Sequence, residues 1–139
     1  MNIAIVGFGA AGKYYLEILK KNRNVKKIFV IDKNKISLQK NFIQIDIKKI
    51  QKENIKVDYA IICTPSGNHY EPTKFFLERK VNVLIEKPLA LNLKEVLKLE
   101  KISKKFKKKL FVDYPFIFSG STVLLLFFPL GKGTSIFSI

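Results

Sequence analysis

Short apolar runs recur along the first 114 residues and show neither a helical period nor a clean alternation. They are NIAIV at 2–6, KIFVID at 27–32, FIQI at 42–45, DYAIICT at 58–64, NVLIE at 82–86 and LFVDY at 110–114. Continuous apolar runs of this length are typical of strands buried on both faces of a parallel sheet. We therefore predict six strands, of which the one at 42–45 has the weakest pattern.

Segments with helical spacing separate several of these runs. The first covers 10–22, where the apolar positions are Ala10, Ala11, Tyr14, Tyr15, Ile18 and Leu19. A second helix is predicted from about 68 to 80, with Phe76 and Leu77 turned inward. A third is predicted from 92 to 108, because Asn92 and Glu95 form a capping pattern ahead of an amphipathic stretch. Strands interleaved with helices predict the α/β class, with a doubly wound parallel sheet.

Composition limits the classes of protein to which the chain could belong. Its 139 residues suffice for one domain, and the single cysteine, Cys63, excludes an internal disulfide. No signal peptide or membrane-length apolar segment is present, so we expect a cytoplasmic location and no membrane partner. The net charge is +15, but 24 of the 26 basic residues are lysines that lie on predicted solvated faces. We therefore expect no nucleic-acid partner, although a basic nucleic-acid binder stays an alternative.

The composition changes sharply near the C-terminus. Only one charged residue, Lys132, follows Asp113. We predict a dinucleotide-binding domain over 1–120 and an atypical apolar tail over 121–139 that is not a domain. A frame change or premature stop near residue 121 explains such a tail better than a natural short variant does.

A glycine-rich turn follows the first strand. It reads Gly7-Phe8-Gly9-Ala10-Ala11-Gly12, and all six residues are predicted to bind cofactor. In such a turn Gly9 lets the backbone approach a pyrophosphate, while the start of the next helix offers free N–H groups to the anion. Asp32 ends the next strand and is expected to accept hydrogen bonds from the adenosine ribose, which favours NAD. Lys33 and Lys35 could pair with a 2′-phosphate, so NADP stays open.

Polar residues follow the fourth strand, across the sheet from the glycine turn, where the nicotinamide half of the cofactor is expected. The segment is Cys63-Thr64-Pro65-Ser66-Gly67-Asn68-His69. We interpret Cys63 as a small core residue rather than a nucleophile, because no base is evident beside it. His69 is the only histidine, and the sequence alone leaves open whether it takes part in any chemistry.

The fifth strand ends in Glu86-Lys87-Pro88, which places a lysine at a strand exit. Ligands of α/β sheets bind at strand exits, so Lys87 is a candidate functional residue rather than one more surface lysine.

Together GFGAAG, TPSGNH and EKPLA make residues 1 to about 120 similar to the N-terminal Rossmann domain of Gfo/Idh/MocA oxidoreductases. The resemblance implies NAD(P) binding and hydride transfer at a hydroxyl carbon of a sugar, sugar nucleotide or cyclitol. It implies that Thr64 and Pro65 lie near the nicotinamide ribose, and that Asn68 and His69 begin the adjacent helix. It also implies that Lys87 is catalytic and reaches the reacting oxygen, often beside a cis proline. We expect Glu86 to orient the cofactor or the lysine.

Members of this family also carry a second α/β domain, which supplies most of the substrate pocket, a catalytic histidine and the oligomer interface. This chain lacks room for that domain, so we expect it to bind nucleotide without turnover. No metal site is expected. A non-catalytic nucleotide-binding or interaction module is the alternative. The sixth strand also departs from the common family pattern, because Asp113 and Tyr114 stand there and Pro115 replaces the polar residues that often follow.

Overall fold

The computed structural model describes residues 1–34, 36, 42–46 and 56–114, with the backbone alone at 42–46. The strands are β1 (Asn2–Val6), β2 (Lys27–Asp32), β3 (Phe42–Asp46), β4 (Tyr59–Ile62), β5 (Asn82–Glu86) and β6 (Leu110–Asp113). The helices are α1 (Ala10–Lys20), α2 (Tyr70–Glu78) and α3 (Leu93–Phe106), and a short 3₁₀ turn spans Ser66–Asn68. All six predicted strands and all three predicted helices are therefore present.

The strands form one parallel sheet in the order β3-β2-β1-β4-β5-β6. This order reverses direction between β1 and β4, which creates the crevice where dinucleotides bind in doubly wound sheets. The prediction of a doubly wound α/β fold is confirmed. Because all strands are parallel, the residues that follow β1, β4 and β5 meet at the same carboxyl edge.

Apolar side chains fill both faces of the sheet, as the continuous strand pattern predicts. One face of β1 packs Ile3 and Ile5 against Tyr15 and Leu16 of α1. The opposite face belongs to a second cluster that α2 and α3 cover, to which β1 contributes Ala4 and Val6. The sheet is thereby held rigid beneath its carboxyl edge.

The helix boundaries differ from the predicted ones by a few residues. Helix α1 ends at Lys20 rather than 22, and the predicted second helix is divided into the 3₁₀ turn and α2. The prediction that Phe76 and Leu77 turn inward is confirmed, since both are buried. The third helix begins as expected, because the Asn92 side chain accepts a hydrogen bond from the Glu95 backbone N–H at 3.0 Å.

Not every apolar helical position is covered. Tyr14 and Ile18 of α1 are exposed, and so is Leu97 of α3. Helical spacing places these residues near an apolar face, but only the packing of neighbouring elements decides which of them loses solvent contact. The predicted boundary at residue 120 and the tail at 121–139 lie outside the described residues. None of the described helices is both long and apolar enough to cross a membrane.

Candidate functional site

The glycine-rich turn is packed so tightly against β4 that its first position admits only glycine. Gly7 has φ +90°, which side-chain-bearing residues rarely adopt. A Cβ there would lie 2.7 Å from the carbonyl atoms of Cys63 and from the Thr64 nitrogen. The turn therefore lies directly beside the exit of β4. The expectation that the polar segment lies across the sheet from the turn is wrong, because β4 is the hydrogen-bonded neighbour of β1.

The other two glycines of the turn differ in the space around them, since Gly12 is tightly packed and Gly9 is open. A Cβ on Gly12 would come within 2.2 Å of the Gly7 carbonyl oxygen, so its absence lets α1 pack closely on the end of β1. A Cβ on Gly9 would meet no atom within 4 Å. Protein packing thus requires glycine at position 12 but not at position 9. The open space above Gly9 fits a ligand whose phosphates approach the backbone.

The first turn of α1 offers unpaired backbone N–H groups beside this space. Gly9 is the N-cap residue, and no side chain caps the helix. The first hydrogen bond of the helix runs from the Lys13 N–H to the Gly9 carbonyl at 3.1 Å. The preceding N–H groups, those of Ala10, Ala11 and Gly12, have no partner within the helix and lie at its positive end. Such an arrangement binds phosphate.

Asp32 at the end of β2 stabilises the glycine turn directly. One carboxylate oxygen accepts a hydrogen bond from the Phe8 N–H and the other from the Asn34 N–H, each at 2.8 Å. An ionised carboxylate can accept further hydrogen bonds, so its predicted contact with ribose hydroxyls stays compatible with this geometry. Lys33 is exposed next to it, whereas Lys35 lies outside the described residues.

The segment that follows β4, residues 64–68, forms a tight turn held by its own hydrogen bonds. The Thr64 hydroxyl donates to the Asn68 carbonyl at 3.1 Å, and the Asn68 N–H donates to the Pro65 carbonyl at 2.7 Å. Pro65 and Asn68 remain exposed at the carboxyl edge. These residues lie next to the glycine turn and are free to contact a ligand that extends from it.

His69 does not face the open edge but is buried, with 1% of its surface exposed. Its Nε2 lies 2.6 Å from the Thr64 carbonyl oxygen, and its Nδ1 lies 2.7 Å from the Pro88 carbonyl oxygen. The imidazole therefore connects the loop after β4 with the loop after β5. We infer that His69 positions both loops rather than contacting cofactor. A lone histidine in the sequence carries no signal from which this could be inferred.

Lys87 and Pro88 are exposed and follow β5, and a cis peptide bond joins them. Within residues 1–34 and 56–114, the Lys87 ammonium has no hydrogen-bond or salt-bridge partner. Only β4 separates β5 from β1 in the sheet. Lys87 and the glycine turn thus share one edge and are separated by a single strand.

Two further residues at this edge, Tyr15 and Asp113, were not predicted from the sequence as site residues. The Tyr15 hydroxyl, which comes from α1, donates a hydrogen bond to the Asp113 carboxylate at the end of β6. Burial, this hydrogen bond and the charge of Asp113 together hold the pKa of Tyr15 well above its usual value. Tyr15 and Asp113 are 98 residues apart in the chain, so no local motif could reveal their contact.

Cys63 is partly buried against the α1 side of the core, in agreement with its interpretation as a core residue. Burial, followed by the charges of Glu86 and Asp113, raises its pKa to about 12. A thiol with so high a pKa is protonated at neutral pH and is a poor nucleophile. Among the described residues, no group of three His, Cys, Asp or Glu side chains could hold a metal ion.

Comparisons with known proteins agree with this geometry. Residues 1–114 match the GFO_IDH_MocA family, described as an oxidoreductase family with an NAD-binding Rossmann fold. The chain is 27% identical over 120 residues to the myo-inositol 2-dehydrogenase of Thermotoga maritima, a match that covers 82% of this chain and 36% of that protein.

Solved structures show the same relationship. The WlbA dehydrogenase from Chromobacterium violaceum, in complex with NADH and UDP-GlcNAcA, is similar with a TM-score of 0.72 and 26% identity. That match covers 81% of this chain and 34% of the dehydrogenase. D-galactose-1-dehydrogenase from Rhizobium etli is similar with a TM-score of 0.68 and 26% identity, over 78% of this chain and 35% of that one. The chain spans about a third of the length of these relatives.

Proposed function

This chain belongs to the Gfo/Idh/MocA oxidoreductase family and has its NAD-binding Rossmann fold, and from that premise we propose that it is the cofactor-binding part of a dehydrogenase. The reaction moves hydride between nicotinamide and a hydroxyl carbon of a sugar, sugar nucleotide or cyclitol. One observation carries the proposal: the open space above Gly9 and the exposed Lys87 lie at the same sheet edge, one strand apart. The substrate class is supported by two relatives named for myo-inositol and D-galactose, and by a third that was solved in complex with UDP-GlcNAcA.

The glycine turn would hold the pyrophosphate, and Asp32 would hold the adenosine ribose. Because Asp32 is already oriented by two backbone N–H groups, a 2′-phosphate at this position would meet a fixed negative charge. We therefore propose NAD rather than NADP as the cofactor. The half-buried Thr64 and the exposed Pro65 beside the turn would contact the nicotinamide ribose.

Lys87 would act on the oxygen of the reacting carbon. When bound, the nicotinamide supplies or accepts the hydride. The Lys87 ammonium then stabilises negative charge that develops on the substrate oxygen and exchanges a proton with it. His69 contributes indirectly, since its contact with the Pro88 carbonyl holds the turn that carries Lys87.

We propose that this chain alone binds nucleotide without turnover, because it spans only about a third of its relatives. Substrate contacts and any oligomer interface would come from elsewhere in a full-length enzyme. The single cysteine, protonated at neutral pH, is compatible with a cytoplasmic location.

Titration with NADH, followed by the change in nicotinamide fluorescence, tests the cofactor assignment. Saturable binding that excess double-stranded DNA does not compete away is expected, whereas DNA binding without NADH binding would favour the basic nucleic-acid binder. The catalytic assignment requires a full-length protein that carries this domain.

In that protein, Lys87→Ala should abolish most hydride transfer while leaving NADH affinity nearly unchanged. The matched control is Lys109→Ala, which removes an exposed lysine at the opposite end of the sheet, before β6. Unchanged turnover in Lys87→Ala would refute the role of Lys87, and absence of any turnover in the unmodified protein would favour the non-catalytic module.

A further inference from the structure

Two carboxylates lie side by side at the carboxyl edge of the sheet. Glu86 and Asp113 are register partners at the ends of β5 and β6. Partners in a parallel sheet point to the same face, and here that face is the one covered by α1. Extending the β4–β5 and β1–β4 registers by one residue each places Cys63 in the same row and, beyond it, Gly7, which follows the end of β1. The carboxylates therefore continue the row that begins at the glycine turn.

Tyr15 fixes the orientation of one member of this pair. It is 8% exposed and belongs to the helix that starts at the glycine turn, yet its hydroxyl reaches Asp113 at the far strand. The raised pKa keeps the phenol protonated, so it remains a donor to the carboxylate. The charge of Glu86 also contributes to the raised pKa of Tyr15, in agreement with the place of Glu86 beside Asp113 in the same row.

No salt bridge within the described residues involves Glu86 or Asp113. The two salt bridges in residues 1–34 and 56–114 join Lys20 to Glu17 and Lys104 to Glu100, and neither involves this edge. The field of Glu86 and Asp113 is strong enough to contribute to the high pKa of Cys63. The part of this shift that comes from the two carboxylate charges favours a cation at the same place, whereas burial, its larger cause, favours neither sign of charge. The exposed Lys87 ammonium lies at the same edge, but within residues 1–34 and 56–114 it forms no salt bridge with either carboxylate.

We propose that Glu86 and Asp113, with Asp113 oriented by Tyr15, make this domain bind the oxidised nicotinamide cofactor more tightly than the reduced one. The inference rests on the proposed binding of the nicotinamide at the exits of β4 and β5. The oxidised ring carries a positive charge and the reduced ring is neutral, whereas the ADP half is the same in both. A charge effect at the ring should therefore change the ratio of the two affinities.

A preference of this kind has a consequence for the reaction. Reduction of the bound cofactor takes up two electrons and one proton and removes the positive charge from the ring. Tighter binding of the oxidised form lowers the reduction potential of the bound couple, because binding and reduction are linked equilibria. The bound reduced cofactor is then a stronger hydride donor than the free one.

The test compares the dissociation constants of NAD⁺ and NADH for the unmodified chain, Asp113→Asn, Glu86→Gln and Tyr15→Phe, at fixed ionic strength and neutral pH. The unmodified chain should bind NAD⁺ more tightly. Each carboxamide variant should reduce the NADH/NAD⁺ ratio of dissociation constants by roughly three- to tenfold, mainly through weaker NAD⁺ binding. Tyr15→Phe should change the ratio less, because it leaves both charges in place.

Glu78→Gln is the matched control, since Glu78 is exposed at the end of α2, far from the carboxyl edge in the fold, and the change in net charge is the same. This control should leave the ratio unchanged. Damage to the fold would weaken the binding of NAD⁺ and NADH together, and it would also leave the ratio of their dissociation constants unchanged. An unaltered ratio in both carboxamide variants, with binding intact, overturns this inference alone. Failure of the unmodified chain to bind either form overturns the proposed cofactor function as well.

Discussion

The same substitution at two glycines of one turn should produce opposite effects, and this is the sharpest test of the site. At Gly12, a new Cβ would lie 2.2 Å from the Gly7 carbonyl oxygen and 3.1 Å from its carbon. Both are backbone atoms, so α1 must move away from β1 to accept it. Overpacking of this kind costs roughly 1–3 kcal/mol or more, and the ~1 kcal/mol gained in helix propensity offsets only part of it. Gly12→Ala should therefore unfold at clearly lower denaturant concentration.

Gly9→Ala should leave stability nearly unchanged. Its Cβ meets nothing within 4 Å, and the backbone φ of −73° suits alanine. Alanine is a poorer N-cap than glycine, but it also reduces the entropy of the unfolded chain by a similar amount, so the net change should stay within about 1 kcal/mol. The new methyl group occupies the space through which phosphate approaches the amides. Loss of one charge-assisted hydrogen bond costs about 1.5–3 kcal/mol, or roughly 10- to 150-fold in NADH affinity.

Urea unfolding followed by circular dichroism measures the first quantity, and NADH titration measures the second. Gly9→Ala should therefore weaken NADH binding at nearly unchanged stability. Gly12→Ala should mainly lower the free energy of unfolding. Undiminished NADH affinity in Gly9→Ala would refute the assignment of the open space to the cofactor. A Gly12→Ala variant as stable as the unmodified chain would refute the packing account.

The remaining expectations concern Cys63, which is partly buried, and His69, which is buried. Because its pKa is raised to about 12, Cys63 should react with a thiol reagent at neutral pH about a thousandfold more slowly than an ordinary thiol, and urea should restore the rate; rapid labelling of the folded chain would contradict this. The raised pKa also makes stability depend on pH. Between about pH 9 and 12 the thiol loses its proton in the unfolded chain but keeps it in the folded chain, so the free energy of unfolding should fall as pH rises through this range. His69→Phe should fill the buried volume but leave the Thr64 and Pro88 carbonyls without their partner, which lowers the free energy of unfolding by roughly 1–3 kcal/mol in urea titrations. His69→Gln, which can still donate to one carbonyl, should lose less, and equal stability of all three chains would show that these contacts carry no weight.

The local pattern of the chain was sufficient for the class of fold and for the cofactor turn. Each strand is a continuous apolar run, and strand, turn, helix and acid follow one another within residues 2–32. Backbone requirements are local as well, since glycine is needed where φ is positive or where a helix packs against its own strand. Helix ends were less accurate, because the loss of a final turn depends on weak interactions at the terminus.

The sequence pattern did not predict which strands and which side chains lie next to each other in the folded chain. The sheet order places β4 against β1, which brings Thr64 next to Gly7 rather than across the sheet. Strand register makes Glu86 and Asp113 neighbours, and packing alone buries His69 between two loops. The sequence determined which segments become strands and helices, because hydrophobic periodicity acts over a few residues. Only the tertiary structure decided which side chains meet at the carboxyl edge, because strand pairing joins residues that are far apart in the chain.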